Sequence, residues 1–185
     1  MFNFFKNNIS IISKCFLNQI AMTVFGLIVL IAANLMATNL MNNNKVLFHV
    51  LGALAILIYL FLLYTIFWEK GAEDKIKIDS GRMKKNNFYG LFASLWANCI
   101  NILFALIIII TSFLKSVNFI NNVNGIFITL FHLLNAMFLS LITIDNITPF
   151  IYIIVLLLPL LVSWGSYILG IKGFKHILPE KKRKN

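Results

Sequence analysis

The sequence predicts an all-α fold: a polytopic membrane helical bundle of four transmembrane helices, with an N-terminal interfacial helix and one external interfacial or re-entrant helix. Three observations carry that expectation. Of 185 residues, 60% are hydrophobic and 12% charged, and the mean hydropathy is +0.88. A soluble domain carries about 25% charged residues, so half that value places the chain in the membrane class. Long uncharged runs recur at lengths that suit a bilayer, and the basic residues crowd between them. The length suits one membrane domain over 1–185, with no separate soluble unit.

Residues 1–18 form the first element. Phe2, Phe5, Ile9, Ile12 and Phe16 recur at spacings of three and four, which is one helical face, while Asn3, Lys6, Asn7, Ser10 and Lys14 lie largely off it. The stretch is too polar to span and is expected to lie in the interface as an amphipathic arm. A cleaved signal core of about 7–15 residues is the rival, and the following run is longer than that.

The first span is expected over 20–40 and the second over 46–68. At about 1.5 Å per residue each covers roughly 30–35 Å, enough to cross the hydrocarbon core. Asn42, Asn43, Asn44 and Lys45 make a turn short enough to demand an antiparallel hairpin. Residues 69–87 follow as a basic polar loop, with a turn at Asp79-Ser80-Gly81. The third span is expected over 88–114. The apolar run 126–144 comes next, and the last span covers 150–171, where Pro159 should kink the helix. A basic tail closes the chain over 172–185.

Five apolar runs would suggest five transmembrane helices, and that remains the alternative. The charges argue for four. The positive-inside rule counts Lys and Arg in short loops, and the arm, the 69–87 loop and the tail hold 14 of the 16 basic residues. Arm, loop and tail therefore all read as cytoplasmic, in a multi-pass protein of the cell membrane. Two cytoplasmic termini require an even number of crossings. Residues 126–144 are the run to demote, because Thr129, His132, Asn135, Ser140 and Thr143 fall within an arc of roughly 140° on a helix turning 100° per residue.

The net charge of +10 points to the anionic inner leaflet of the lipid bilayer rather than to nucleic acid, since each Lys or Arg near that surface contributes about 1 kcal/mol. Arg82, Lys84 and Lys85 are the residues expected to touch lipid or a protein partner subunit. No Asp, Glu, Lys or Arg lies inside an expected span, which argues against a carboxylate-driven pump or antiporter and against an intramembrane aspartyl or metalloprotease. No nucleophile is paired with a base, no metal-ligand spacing occurs, and Cys15 and Cys99 read as apolar fillers. The chain is thus expected to be no enzyme and to need no cofactor.

Polar residues inside the spans remain. Asn34, Asn98, Asn101, His132 and Asn135 could line a cavity for a small solute, or could bond between helices at about 0.6–2 kcal/mol each. Gly90, Ala93, Ala97, Asn101 and Ala105 make a small-residue face on the third span. Ala33 with Ala37, and Ser166 with Gly170, do the same on the first and last.

The stretch Asp79-Ser80-Gly81-Arg82-Met83-Lys84-Lys85-Asn86 runs straight into the third span. With Trp164-Gly165-Ser166-Tyr167-Ile168-Leu169-Gly170 it resembles uncharacterised small integral membrane proteins of low-GC Gram-positive bacteria. That resemblance covers the second half of the chain and implies no activity. The residues themselves favour a non-catalytic membrane subunit or accessory of a larger, transport-type complex. The alternative is a small-solute binding or transport protein similar to the substrate-capture components of energy-coupling-factor transporters.

Overall fold

A computed structural model describes residues 8–40, 45–114, 118–143 and 150–173. They form α1 (Ile9–Leu40), α2 (Lys45–Asp79), α3 (Tyr89–Ala97), α4 (Cys99–Phe113), α5 (Asn118–Leu134), a 3-10 turn (Ala136–Phe138), α6 (Leu139–Ile142) and α7 (Ile151–Lys172). The described residues contain no strand. The expected turn at 42–44, residues 1–7 of the arm and 174–185 of the tail lie outside the described residues, as do the side chains of Ala37 and Asn39.

Among the described residues, three helices are long and apolar enough to cross a membrane: Ile9–Met36, Val46–Asp79 and Ile151–Lys172. Two further apolar stretches are bent pairs, Tyr89–Ala97 with Cys99–Phe113 at 68° and Ile120–Leu134 with Ala136–Ile142 at 93°. The chain is therefore a helical membrane bundle of three unbroken spans, or up to five if each bent pair counts as one.

Two expected boundaries move. The arm is not a separate helix from Ile9 onward, because α1 runs without a break from Ile9 to Leu40. Its buried face shares Ile12 with the expected apolar stripe but not Ile9 or Phe16. Ile11, Ile12, Cys15, Gln19 and Met22 are buried, whereas Ile9 and Phe16 are 53% and 39% exposed. Asn8 accepts a hydrogen bond from Tyr89, while Ser10, Ser13 and Lys14 stay exposed, so the segment packs on the bundle mainly through apolar Ile11, Ile12, Cys15 and Met22.

The 69–87 segment is likewise a loop only in its second half. α2 continues to Asp79, about three turns past the end of the apolar run. Acids and bases three and four apart support a helix there: Lys70 pairs with Glu73 and Asp74, and Lys77 pairs with Asp74. The expected turn then follows, with Gly81 at φ +73°, a left-handed conformation that glycine adopts without penalty.

α2 is the central strut. Gly52, Ala55, Tyr59, Leu63, Phe67, Gly71 and Asp74 are all buried at spacings of three and four. α7 runs parallel to it: Gly170 lies against Trp68, Gly71 and Ala72, and Gly173, one turn on, lies beside Lys75. Helices approach this closely only where side chains are absent. The expected small-residue face of the third span is buried throughout, at Gly90, Ala93, Ala97, Asn101 and Ala105. Ala33, Ser166 and Gly170 are buried as well. Pro159 sits within α7, which continues to Lys172, and its carbonyl accepts the Ser163 hydroxyl at 2.7 Å.

These contacts fix the ends. Asn8, Lys70, Tyr89 and Tyr167 meet at one end of the bundle, here the basic end. Toward the opposite end, Gly26 of α1 abuts Met137 and Gly52 of α2 abuts Ser140, while the ring of His49 bonds to the Ser140 carbonyl at 3.0 Å. Residues 118–142 therefore do not return the chain to the basic end.

Candidate functional site

Two polar clusters stand out, one inside the bundle and one at its basic end. The first is built at the two helix breaks. Asn98 leaves α-helical geometry at φ −97° and ψ 11°, and Asn135 does so at φ −119° and ψ 37°. The local chemistry is the same in both. The Asn98 side chain donates to the Ser94 carbonyl at 3.0 Å, and its backbone N–H donates to that same oxygen at 3.0 Å. The Asn135 side chain donates to the Phe131 carbonyl at 3.1 Å, which also accepts its backbone N–H at 3.0 Å. A side chain that bonds back to the carbonyl four residues earlier competes with the helix ladder and bends it.

The breaks touch through Asn101. Its amide donates to Asn98 Oδ1 at 3.3 Å, and Asn135 Nδ2 donates to Asn101 Oδ1 at 3.3 Å. All three residues are at least 95% buried. Buried amides are costly unless bonded, and here they satisfy one another. A void of about 60 Å³ lies beside them, bordered by Gln19, Thr23, Ala97 and Asn101. The Thr23 hydroxyl donates to the Leu134 carbonyl at 2.6 Å, tying α1 to the second break.

Of the five expected cavity residues, the structure brings together Asn98, Asn101 and Asn135. Asn34 is exposed on α1. His132 is half-buried and faces α7, where Tyr152 lies over it with the hydroxyl 3.4 Å from Nε2. Among the described residues, no three His, Cys, Asp or Glu side chains gather as metal ligands. Cys15 is buried and Cys99 is exposed.

The second cluster centres on Asp74, which is 1% exposed. Lys70 Nζ lies 2.8 Å from Asp74 Oδ1 and Lys77 Nζ 3.6 Å from the same oxygen. The Tyr167 hydroxyl donates to Asp74 Oδ2 at 3.0 Å. Tyr167 stacks on Tyr89 with centroids 4.8 Å apart, Lys70 Nζ sits 5.8 Å from the centre of the Tyr89 ring, and the Tyr89 hydroxyl donates to Asn8 Oδ1 at 2.7 Å. One carboxylate thus joins α2 to α7 and, through stacked tyrosines, to α3 and the start of α1. Beside it opens a recess of about 270 Å³. Arg82, Lys84 and Lys85 stand exposed on the turn beyond α2.

The sequence carried a signal for this cluster that hydropathy hides. Asp74 lies four residues from Lys70 and three from Lys77, and it continues the inward stripe of Tyr59, Leu63, Phe67 and Gly71. No protein-family model, no curated protein and no solved structure matches this chain.

Proposed function

We propose that the chain is a non-catalytic, multi-pass protein of the cell membrane that serves as a membrane subunit or accessory of a larger transport-type complex. Its basic end faces the cytoplasm and an anionic leaflet, and it meets a protein partner there. One observation carries this reading: Asn98, Asn101 and Asn135 bond to one another beside a void of only about 60 Å³, whereas the basic end presents a helical extension capped by exposed Arg82, Lys84 and Lys85. A void that small holds a water or two and falls far short of the several hundred Å³ that solute sites occupy.

The test is purification of the intact chain in mild detergent, with and without charge reversal at Arg82, Lys84 and Lys85. A second protein should co-purify in fixed ratio and be lost from the reversed variant while the variant remains in the membrane. A solitary species from both preparations overturns the reading.

A second reading, a small-solute carrier similar to energy-coupling-factor capture components, draws on the meeting of two broken helices at Asn98 and Asn135, since carriers bind solutes where helices are interrupted. Uptake unchanged in Asn98→Leu and Asn101→Leu would remove it.

A further inference from the structure

We propose that the recess at the basic end binds a headgroup carrying a primary ammonium and a phosphate, the chemistry of an ethanolamine phosphate. This inference is independent of any partner subunit. The recess lies between the start of α1, the polar extension of α2 and the first turn of α3, and measures about 270 Å³. That is below the range of drug-sized sites and of a size with a small headgroup.

Its charges decide the ligand class. Lys70 is already committed to Asp74 at 2.8 Å, with Glu73 at 3.7 Å. Lys14 remains as a second cation on the wall, which Glu69 and Glu73 of α2 also line. Among the described residues neither Lys14 nor Glu69 has an ion-pair partner. A simple anion would meet two carboxylates, and a simple cation would meet two lysines. A ligand bearing both signs a few ångströms apart satisfies each wall: phosphate toward Lys14 and the Ser10 hydroxyl, ammonium toward Glu69 and Glu73.

The type of ammonium follows as well. A primary ammonium has three donors for carboxylates, whereas a quaternary ammonium seeks a cage of several aromatic faces. Tyr89 is the one ring in the wall, and it already has Lys70 at 5.8 Å. The recess is also lined by apolar Ile11 and Ile66. α1 continues past the recess with exposed Phe16, Leu17 and Ile20, a surface suited to the acyl chains of a lipid carrying such a headgroup.

The test is native mass spectrometry of the full chain in mild detergent. Phosphatidylethanolamine, phosphatidylcholine and phosphatidylglycerol of matched chain length are added in turn, with free phosphoethanolamine as competitor. One phosphatidylethanolamine should be retained per chain at least tenfold more tightly than either other lipid. Lys14→Gln, and Glu69→Gln with Glu73→Gln, should each abolish that preference. All three side chains are exposed, so these variants should keep the wild-type unfolding temperature. Displacement of the lipid by free phosphoethanolamine at equal concentration would assign the site to the soluble compound; resistance to it would assign the site to the lipid. Equal retention of the three lipids, or a preference that survives the variants, overturns the proposal.

Discussion

Asp74 is a charge placed where the bundle can least tolerate an error. It is 1% exposed, yet Tyr167 and Lys70 donate to it and Lys77 pairs with it at 3.6 Å. Removing one partner of a buried ion pair strands the other, at a cost of about 3–5 kcal/mol in a fully buried case. Lys70 is 20% exposed and Lys77 49%, so solvent recovers part of that. Asp74→Asn should therefore destabilise by about 2 kcal/mol, and Tyr167→Phe, which removes one bond to a charged acceptor, by about 1.5 kcal/mol. Unfolding in detergent followed by circular dichroism measures both. The double variant should cost less than the sum, because the two side chains share one bond. Independent additivity would show that Asp74 is held by the lysines alone.

At the scale of the helix, the informative residues are those that interrupt or permit packing. Hydropathy averages over a turn or more, so the run 88–114 reads as continuous across Asn98, and the run 126–144, open to a re-entrant reading, gives no position for its break at Asn135. The residues were legible as special: both were singled out as polar groups inside apolar runs, and both prove to bond back to the carbonyl four residues before. What sequence spacing could not supply was their meeting through Asn101, 34 residues from Asn135. Asn101→Leu should cost about 1–2 kcal/mol, and a cycle with Asn135→Leu should show coupling of at least about 0.5 kcal/mol. The glycines give a sharper contrast. A Cβ at Gly170 would run into the backbone of Trp68 and Ala72, whereas one at Gly165 meets nothing within 4 Å. Gly170→Ala should destabilise by about 1–3 kcal/mol through overpacking. Gly165→Ala should be neutral or stabilise by up to about 1 kcal/mol through helix propensity. Equal effects on the melting temperature would mean that α2 and α7 do not pack backbone to backbone.

At the scale of the whole molecule, charge counting and packing address the same question by separate routes. Basic residues in the arm, the 69–87 segment and the tail call for an even number of crossings. The fold places the starts of α1 and α3 and the ends of α2 and α7 together at one end. Ser140, near the close of the demoted run, lies beside Gly52 and His49 toward the other. A complete crossing by residues 118–142, begun opposite the basic end, would have returned Ser140 to Tyr89. A bend of 93° follows Leu134, and backbone broken at membrane depth needs protein to cover it. Asn135, Ala136, Met137 and Phe138 are all at most 3% exposed, which supplies that cover. Reporters fused after Gly125, after Asn146 and at the C-terminus separate the outcomes. The four-crossing arrangement predicts that Gly125 and Asn146 report from the external side and the C-terminus from the cytoplasm. If Asn146 reports from the cytoplasm and the C-terminus from outside, residues 118–142 cross, and α7 could not then run parallel to α2.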